Sequence, residues 1–225
     1  MKKVFAYIDG FNSYHCLKSA IKSSNNNLID KNKWINYRKL ISLFFDKDTI
    51  IDKIMFFSAT PYHIYKNDIN KRKDKIKKHN YFYKILYEYC NIEIIDGRFG
   101  KKVIVDNCPR CNEKIKLKKH EEKETDVSLS INLLYDALTI KEFDTIVVIS
   151  SDTDYIPVIK MILDKTDKKI KILFPINSKI NKEFSKIQNK NYSAKKIKEN
   201  HIKLSQIPDI VTVKNIQYIN PYIKN

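Results

Sequence analysis

The run Ile146-Val147-Val148-Ile149 is β-branched throughout, stops at Ser150-Ser151-Asp152-Thr153-Asp154, and passes at once into an apolar-periodic segment with Pro157 in its first turn. An unbroken β-branched run fits a strand buried on both faces, and Pro just inside an apolar-periodic segment fits the opening of a helix. Strand, tight loop and helix form the unit of an open α/β sheet, and this stretch limits the possible folds more than any other. In such sheets ligands sit at the loops that follow the carboxyl ends of strands. Asp152 and Asp154 therefore stand where carboxylates can be used, and a hard divalent cation is their natural partner. Plainer roles also suit them, Asp154 as a helix cap and Asp152 as a turn residue, because Asp readily accepts hydrogen bonds from free backbone N–H groups. The loop alone leaves both readings open.

The same grammar recurs along the chain. Val4-Phe5-Ala6-Tyr7-Ile8 ends at Asp9-Gly10, and Tyr14, Leu17 and Ile21 follow at helical spacing after Phe11-Asn12. Residues 23–33 are polar and aperiodic, a loop. Tyr37, Leu40, Ile41 and Phe44 mark a second helix, residues 53–58 a strand, and residues 68–89 a long helix whose first half is mostly charge. Ile92-Glu93-Ile94-Ile95 reads as a strand closed by Asp96-Gly97. Residues 102–105 and 115–117 then read as two ribbon strands around Cys108-Pro109-Arg110-Cys111. Val127, Ile131, Leu134 and Leu138, spaced 4, 3 and 4, predict the inward face of the next helix, with Asp126 at its N-terminus. Residues 169–174 read as the last core strand, and residues 177–225 as a tail wrapped over the core. Alternating strands and helices imply a mostly parallel sheet covered on both faces. The expected fold is an α/β, Rossmann-like three-layer sandwich over residues 1–175, with a small β-ribbon insertion at about 101–119 carrying the Cys-x-x-Cys, and a C-terminal extension over 176–225.

With 225 residues, one well-buried core is the expectation. The 43 Lys and Arg against 26 Asp and Glu give a formal net charge of +17, which points to a polyanion as partner. Nucleic acid fits better than a membrane, since no apolar run approaches the length of a spanning helix, and Asp9 stands where a signal peptide needs its apolar centre. A cytoplasmic protein is expected. The four cysteines do not make a disulfide framework for a domain of this size, so reduced or metal-bound thiols are expected.

Asp9 and the Asp152/Asp154 pair both follow apolar strands, and the carboxyl ends of parallel strands share one edge. In a βαβ crossover the helix runs antiparallel to its strands, so its N-terminus, with Asp126, lies on that edge as well. Carboxylates gathered on one rim repel each other, and a strongly basic chain collects them where cations can occupy the site.

The residues that carry this pattern, Tyr7-Ile8-Asp9-Gly10-Phe11-Asn12-Ser13-Tyr14, Glu122-Lys123-Glu124-Thr125-Asp126-Val127 and Val148-Ile149-Ser150-Ser151-Asp152-Thr153-Asp154-Tyr155-Ile156-Pro157, resemble the three signature blocks of the NYN domain family of PIN-like nucleases. The resemblance covers roughly residues 3–175, and Leu204-Ser205-Gln206-Ile207-Pro208 is also similar to family members. It implies a PIN-like fold and a Mg²⁺- or Mn²⁺-dependent endoribonuclease, with Asp9, Asp126, Asp152 and Asp154 at the acidic metal centre and Asn12 beside it. Ser151 stands where many members have Gly. The alternatives are a catalytically silent RNA-binding or partner-binding module and, third, a small-molecule phosphohydrolase.

On this reading Asn12 orients a phosphate or water, or caps the first helix. Ser150, Ser151 and Thr153 are candidate donors to a non-bridging oxygen. Lys71, Arg72 and Lys73, with Lys66, Lys75, Lys77, Lys78, Tyr81 and Tyr83, mix cationic and aromatic character as RNA binding needs, or form a solvated helix face. Lys123, within the second block, is the lysine expected nearest the active centre. Cys108 and Cys111 have the spacing of half a structural zinc site. His120 is a candidate third ligand and Cys90, His79 or a second protomer a candidate fourth; the other reading is a free pair on a hairpin. Cys16 is expected to be a small core residue.

Overall fold

The computed structural model describes residues 1–23, 27–62, 68–107 and 110–223; Lys66 and Cys108 lie outside them. The chain alternates as expected: β1 (Lys3–Asp9), α1 (Gly10–Lys22), α2 (Tyr37–Ser42), β2 (Ile50–Ala59), α3 (Ile69–Glu88), β3 (Glu93–Asn107), β4 (Lys114–Lys123), α4 (Thr125–Thr139), β5 (Thr145–Ile149), α5 (Ile156–Lys165) and β6 (Lys169–Phe174). Beyond them come β7 (Tyr192–Lys196), α6 (Glu199–Leu204), β8 (Ile210–Val213) and β9 (Ile216–Ile219). A seven-stranded sheet has the order β4-β3-β2-β1-β5-β6-β7. Every pairing in it is parallel except β3 with β4.

Burial on both faces is visible strand by strand. Along β1, Val4, Ala6 and Ile8 pack into one core cluster while Phe5 and Tyr7 pack into the other. Along β5, Val147 and Ile149 join the first cluster and Ile146 and Val148 the second. The period of two sends alternate side chains to opposite faces, and apolar residues at every position let helices cover both. Leu17, Leu40, Ile41, Ile85 and Leu86 of α1, α2 and α3 close the first cluster. Leu129, Leu133, Ile159 and Ile162 of α4 and α5 close the second.

Three expectations are corrected. The strand after α3 does not stop at Asp96-Gly97. β3 runs straight through it, pairing with β2 over Glu93–Gly97 and with β4 from Arg98 onward. Gly97 has ordinary negative φ, and an added Cβ there would lie 2.9 Å from the Lys123 carbonyl oxygen. Close approach of β4 to β3, and not a turn, is what needs the glycine. The sheet also continues past residue 174, since β7 pairs in parallel with β6. Its sequence, Tyr192-Ser193-Ala194-Lys195-Lys196, carries no apolar run because four of its five residues are exposed at the sheet edge.

The third correction concerns α4. Its buried apolar residues are Leu129, Leu133 and Ala137, and of the expected face only Leu134 packs against that core, while Val127, Ile131 and Leu138 are 63%, 61% and 52% exposed. Two apolar stripes run along this helix, so spacing alone cannot choose between them. Asp136 marks the inward one. Its carboxylate, 4% exposed, accepts Tyr7 Oη at 2.7 Å and Lys53 Nζ at 2.7 Å. The tail wraps the core as expected, with Ile202, Ile207, Val211 and Tyr218 in the first cluster and the Ile207 N–H donating to Trp34 O at 2.9 Å.

Candidate active site

Registers fix the strand ends. Ile8 faces Ile149, so Asp9 and Ser150 leave adjacent parallel strands side by side. Asp9 faces Phe57, and Ser58 in turn faces Asp96 on β3, so a further carboxylate stands at the same edge two strands away. β4 returns antiparallel to β3 and ends at Lys123 opposite Arg98, next to Gly97, so α4 opens at this rim and brings Asp126 to it.

Asp9 is the N-cap of α1 and is only 7% exposed. One of its oxygens accepts the Asn12 N–H at 2.9 Å and the other accepts Ser150 Oγ at 2.9 Å, with Tyr155 Oη at 3.4 Å. Burial pushes its carboxyl up to about 6, against the two hydrogen bonds, and the charges of Asp126 and Asp152 push the same way as burial. Tyr155, 2% exposed, donates to Asp126 at 2.8 Å. Its phenol is raised by burial and by Asp9, Asp126 and Asp152, so it stays a proton donor between them.

Asn12 does not cap α1, a role that Asp9 fills. Its side-chain oxygen accepts the Ser151 N–H at 3.2 Å and Ser151 Oγ at 3.1 Å, tying α1 to the loop after β5. Ser150 is buried, with its Oγ held between Asp9 and the Asp152 N–H, the latter at 3.1 Å. It supports the carboxylates and presents no donor outward. Asp152 accepts the Asp154 N–H at 3.0 Å and caps the short 3₁₀ turn Thr153–Tyr155. Thr153 is half-buried in that turn and Asp154 is exposed. Asp152 thus takes both roles open to it, turn residue and member of the charged rim, whereas Asp154 is set apart from the others.

Two acids were missed by the sequence reading. Glu122, which the sequence shows only as one of the acids just before α4, sits in β4 opposite Phe99, a register that turns it to the rim. Burial pushes its carboxyl up to about 8, and the charges of Asp9, Asp126 and Asp96 add to this against a hydrogen bond from Thr125. Its buried Oε1 has no hydrogen-bond partner. Asp96 accepts the Thr60 N–H at 3.1 Å and Thr60 Oγ1 at 3.0 Å. It follows Ile94-Ile95 as Asp9 follows its own apolar run, so that signal was in the sequence.

A hard divalent ion would meet a suitable donor set here, all carboxylate oxygen with one buried orphan among them. As they stand, no three Asp, Glu, His or Cys side chains among the described residues are grouped to hold an ion. Asp9 is satisfied by Asn12 and Ser150, and Asp126 accepts Tyr155.

The basic residues divide. Lys123 Nζ pairs with Glu121 at 3.3 Å, and its stem lies over Gly100 on the ribbon that brings Glu122 to the rim. Lys71 pairs with Asp68 and Lys78 with Asp74 along α3, while Lys73 is exposed and Arg72 half-buried. Among the described residues no hydrogen bond or ion pair ties Lys71, Arg72 or Lys73 to the acidic rim. Tyr81 and Tyr83, candidates for base stacking on one of the two readings of this helix, are half-buried and packed on protein rings, and Tyr83 Oη donates to Asp96 at 3.4 Å. Tyr81 stacks on Trp34 at 5.9 Å, and Tyr83 packs on His79 at 4.1 Å.

Of the Cys-x-x-Cys only Cys111 lies among the described residues. Cys111 is an exposed free thiol, and His120 is six residues along β4 from Lys114, which places it roughly 20 Å away at about 3.3 Å per residue. Cys111 and His120 therefore cannot share an ion. Cys90 is buried in the core between α3 and β3, and Cys16 is half-buried on α1.

No helix among the described residues is long and apolar enough to cross a membrane. Over 93 residues the chain is 34% identical to the 6-hydroxy-3-succinoylpyridine 3-monooxygenase HspA of Pseudomonas putida (strain DSM 28022 / S16), a stretch covering 37% of this chain and 30% of that protein. The chain thus matches under a third of that relative's length. A crystal structure of a Vibrio parahaemolyticus protein of unknown function is similar with a TM-score of 0.47 and 14% identity, over 88% of this chain and 94% of that one. The sequence pattern of the NYN domain matches residues 3–195, from the first strand through nearly all of β7, and the chain therefore belongs to the NYN domain family of the PIN-like nuclease superfamily.

Proposed function

We propose that this protein is a divalent-metal-dependent endoribonuclease. The observation that carries the reading is the gathering of acids on one sheet edge, with the charges of Asp126 and Asp152 acting on Asp9 and those of Asp9 and Asp126 on Glu122, in a chain of net charge +17. Mutual repulsion of this kind is costly, and a cation site is the usual reason for it. Asp9, Asp126 and Asp152 would hold Mg²⁺ or Mn²⁺ with Glu122 beside them, and Asp154 would act from the exposed side of the loop. When bound, the ion supplies an activated water and stabilises charge on the leaving oxygen of a phosphodiester.

The chain's own residues do the rest. Asn12 and Ser150 hold the two strand ends in register, and Tyr155 keeps a proton at Asp126 while Asp9 stays beneath the surface. The basic surface binds the RNA backbone, so ground-state affinity and bond cleavage belong to different residues.

Incubation of labelled RNA with purified protein, with Mn²⁺ or Mg²⁺ and then with EDTA, tests this directly. Cleavage should require the ion and vanish in Asp152→Asn, while RNA affinity stays equal or rises slightly as one negative charge leaves the path of the phosphates. Cleavage that survives either treatment assigns the chemistry elsewhere. Tight RNA binding without cleavage under any ion makes the chain a silent binding module.

A further inference from the structure

Beside the acidic rim lies a group of rings that nothing above uses. Phe11, the second residue of α1 and 38% exposed, stands two positions after Asp9. One turn on, the exposed His15 packs against it with ring centroids 4.3 Å apart. Phe99 of β3 also packs against it, tilted, with ring centroids 6.0 Å apart. In the ribbon Phe99 faces Glu122, and directly paired side chains of an antiparallel ladder project from the same face. The register that brings Glu122 to the acids therefore brings Phe99 to their border.

Cations flank these rings. Lys75 of α3 donates to Tyr14 Oη at 2.8 Å and sits 5.0 Å from that ring's centre, while Tyr14 meets His15 edge-on at 5.5 Å. Lys18 and Lys75 both act on His15. An i,i+4 aromatic pair alone would support α1 by a few tenths of a kcal/mol, but that role needs neither a third ring from the ribbon nor a large ring left open beside a charged rim. Rings exposed next to lysines, at the mouth of a phosphate-cutting site, match the way single strands are held, with bases on π-faces and backbone on cations.

We propose that Phe11, backed by His15 and Phe99, is a stacking platform for one unpaired nucleobase next to the phosphate to be cut, and that Lys18 and Lys75 receive the adjoining backbone. The substrate class is accordingly single-stranded nucleic acid, because a base paired within a duplex offers no free face to Phe11. This rests on the nuclease reading for the position of the phosphate, but base stacking is measured without cleavage.

The test is binding of a 12-nucleotide single strand with one 2-aminopurine, moved position by position, in EDTA at fixed salt. At one position the wild type should quench the probe, and the strand should bind at least tenfold tighter than the matching duplex. Phe11→Ala should weaken the single strand about tenfold, abolish the quench and leave duplex binding unchanged. Phe11→Leu keeps an apolar side chain for α1 and the ribbon without a π-face, and should behave like Phe11→Ala; Phe11→Trp should retain both affinity and quench. Wild-type quench and affinity that persist in Phe11→Leu overturn the platform, as does equal binding of strand and duplex. Metal-dependent cleavage unaffected by Phe11→Leu removes the platform but keeps the nuclease. Quench lost in Phe11→Leu, in a protein that cuts nothing, keeps the platform and removes the nuclease.

Discussion

Asp9 and Asp154 begin from the same sequence device, a carboxylate set just past an apolar strand of one parallel pair, and reach opposite environments. Asp9 is 7% exposed with both oxygens partnered, while Asp154 is exposed and engages Asp152 only through its backbone N–H. The difference lies in how each helix starts. α1 begins directly at Gly10, whose backbone lies so close to β2 that an added Cβ would stand 2.4 Å from the Phe56 ring and 2.8 Å from Phe57 O. That draws Asp9 beneath the surface. The chain after β5 spends Ser150, Ser151 and a 3₁₀ turn before α5, which carries Asp154 outward. A strand-end acid is therefore a buried anchor or an outer group according to the few residues that follow it.

The largest effect should separate the two in cleavage. Asp9→Asn and Asp152→Asn should each lower single-turnover cleavage by about a thousandfold, roughly 4 kcal/mol of transition-state stabilisation. Asp154→Asn should cost about tenfold, close to 1.4 kcal/mol. Equal losses at Asp9 and Asp154 would erase the distinction between anchor and outer group.

Next comes stability of the metal-free protein. The Asp9 carboxyl titrates near 6 when folded against about 3.8 when unfolded, so the folded state holds the proton more tightly. The stability it contributes is complete below pH 3.8 and is lost as pH rises through 6. The shift corresponds to at most about 3 kcal/mol. Urea unfolding in EDTA should therefore show Asp9→Asn more stable than wild type at pH 7.5, with the gap closing toward pH 4. A gap independent of pH would mean that Asp9 is not the group responsible. Gly10→Ala should follow, destabilising by roughly 2 kcal/mol through overpacking against Phe56. A neutral result there would show that β2 yields and that close approach does not place Asp9.

The outline of both acidic loops was legible because apolar strand, Asp and helix period are local signals. Asp9 and Asp152 could be brought to one edge from strand order alone, whereas Asp126 was expected there through a βαβ crossover and comes there instead by the antiparallel return of β4. Glu122 could not be brought there, since its place depends on which residues of β4 oppose β3 across a ladder that the sequence suggested only as two short ribbon strands. The inward face of α4 was misread for a related reason. Val127, Ile131 and Leu138 repeat as well as Leu129, Leu133 and Ala137, and the choice is made by Asp136 finding Lys53 and Tyr7, partners 83 and 129 residues away. Whether Tyr81 and Tyr83 stack on bases or pack on protein was left open, because composition gives aromatic character but not the side it faces. β7 stayed hidden because an exposed edge strand has no apolar run to find.

The smallest predicted effect concerns the strap between the two loops. Asn12 reaches from α1 to the Ser151 N–H and Oγ, so it acts on the Asp152 loop through Ser151. Asn12→Ala should cost about 1 kcal/mol of stability, the usual net value of such bonds. It should also lower cleavage about tenfold by loosening the loop. Ser151→Ala removes only the hydroxyl bond and should cost less on both scales. If Asn12 works through Ser151, the double variant should be little worse than Asn12→Ala alone, because the two share one interaction. Additive losses would mean that Asn12 meets the substrate directly and that the loops are positioned independently.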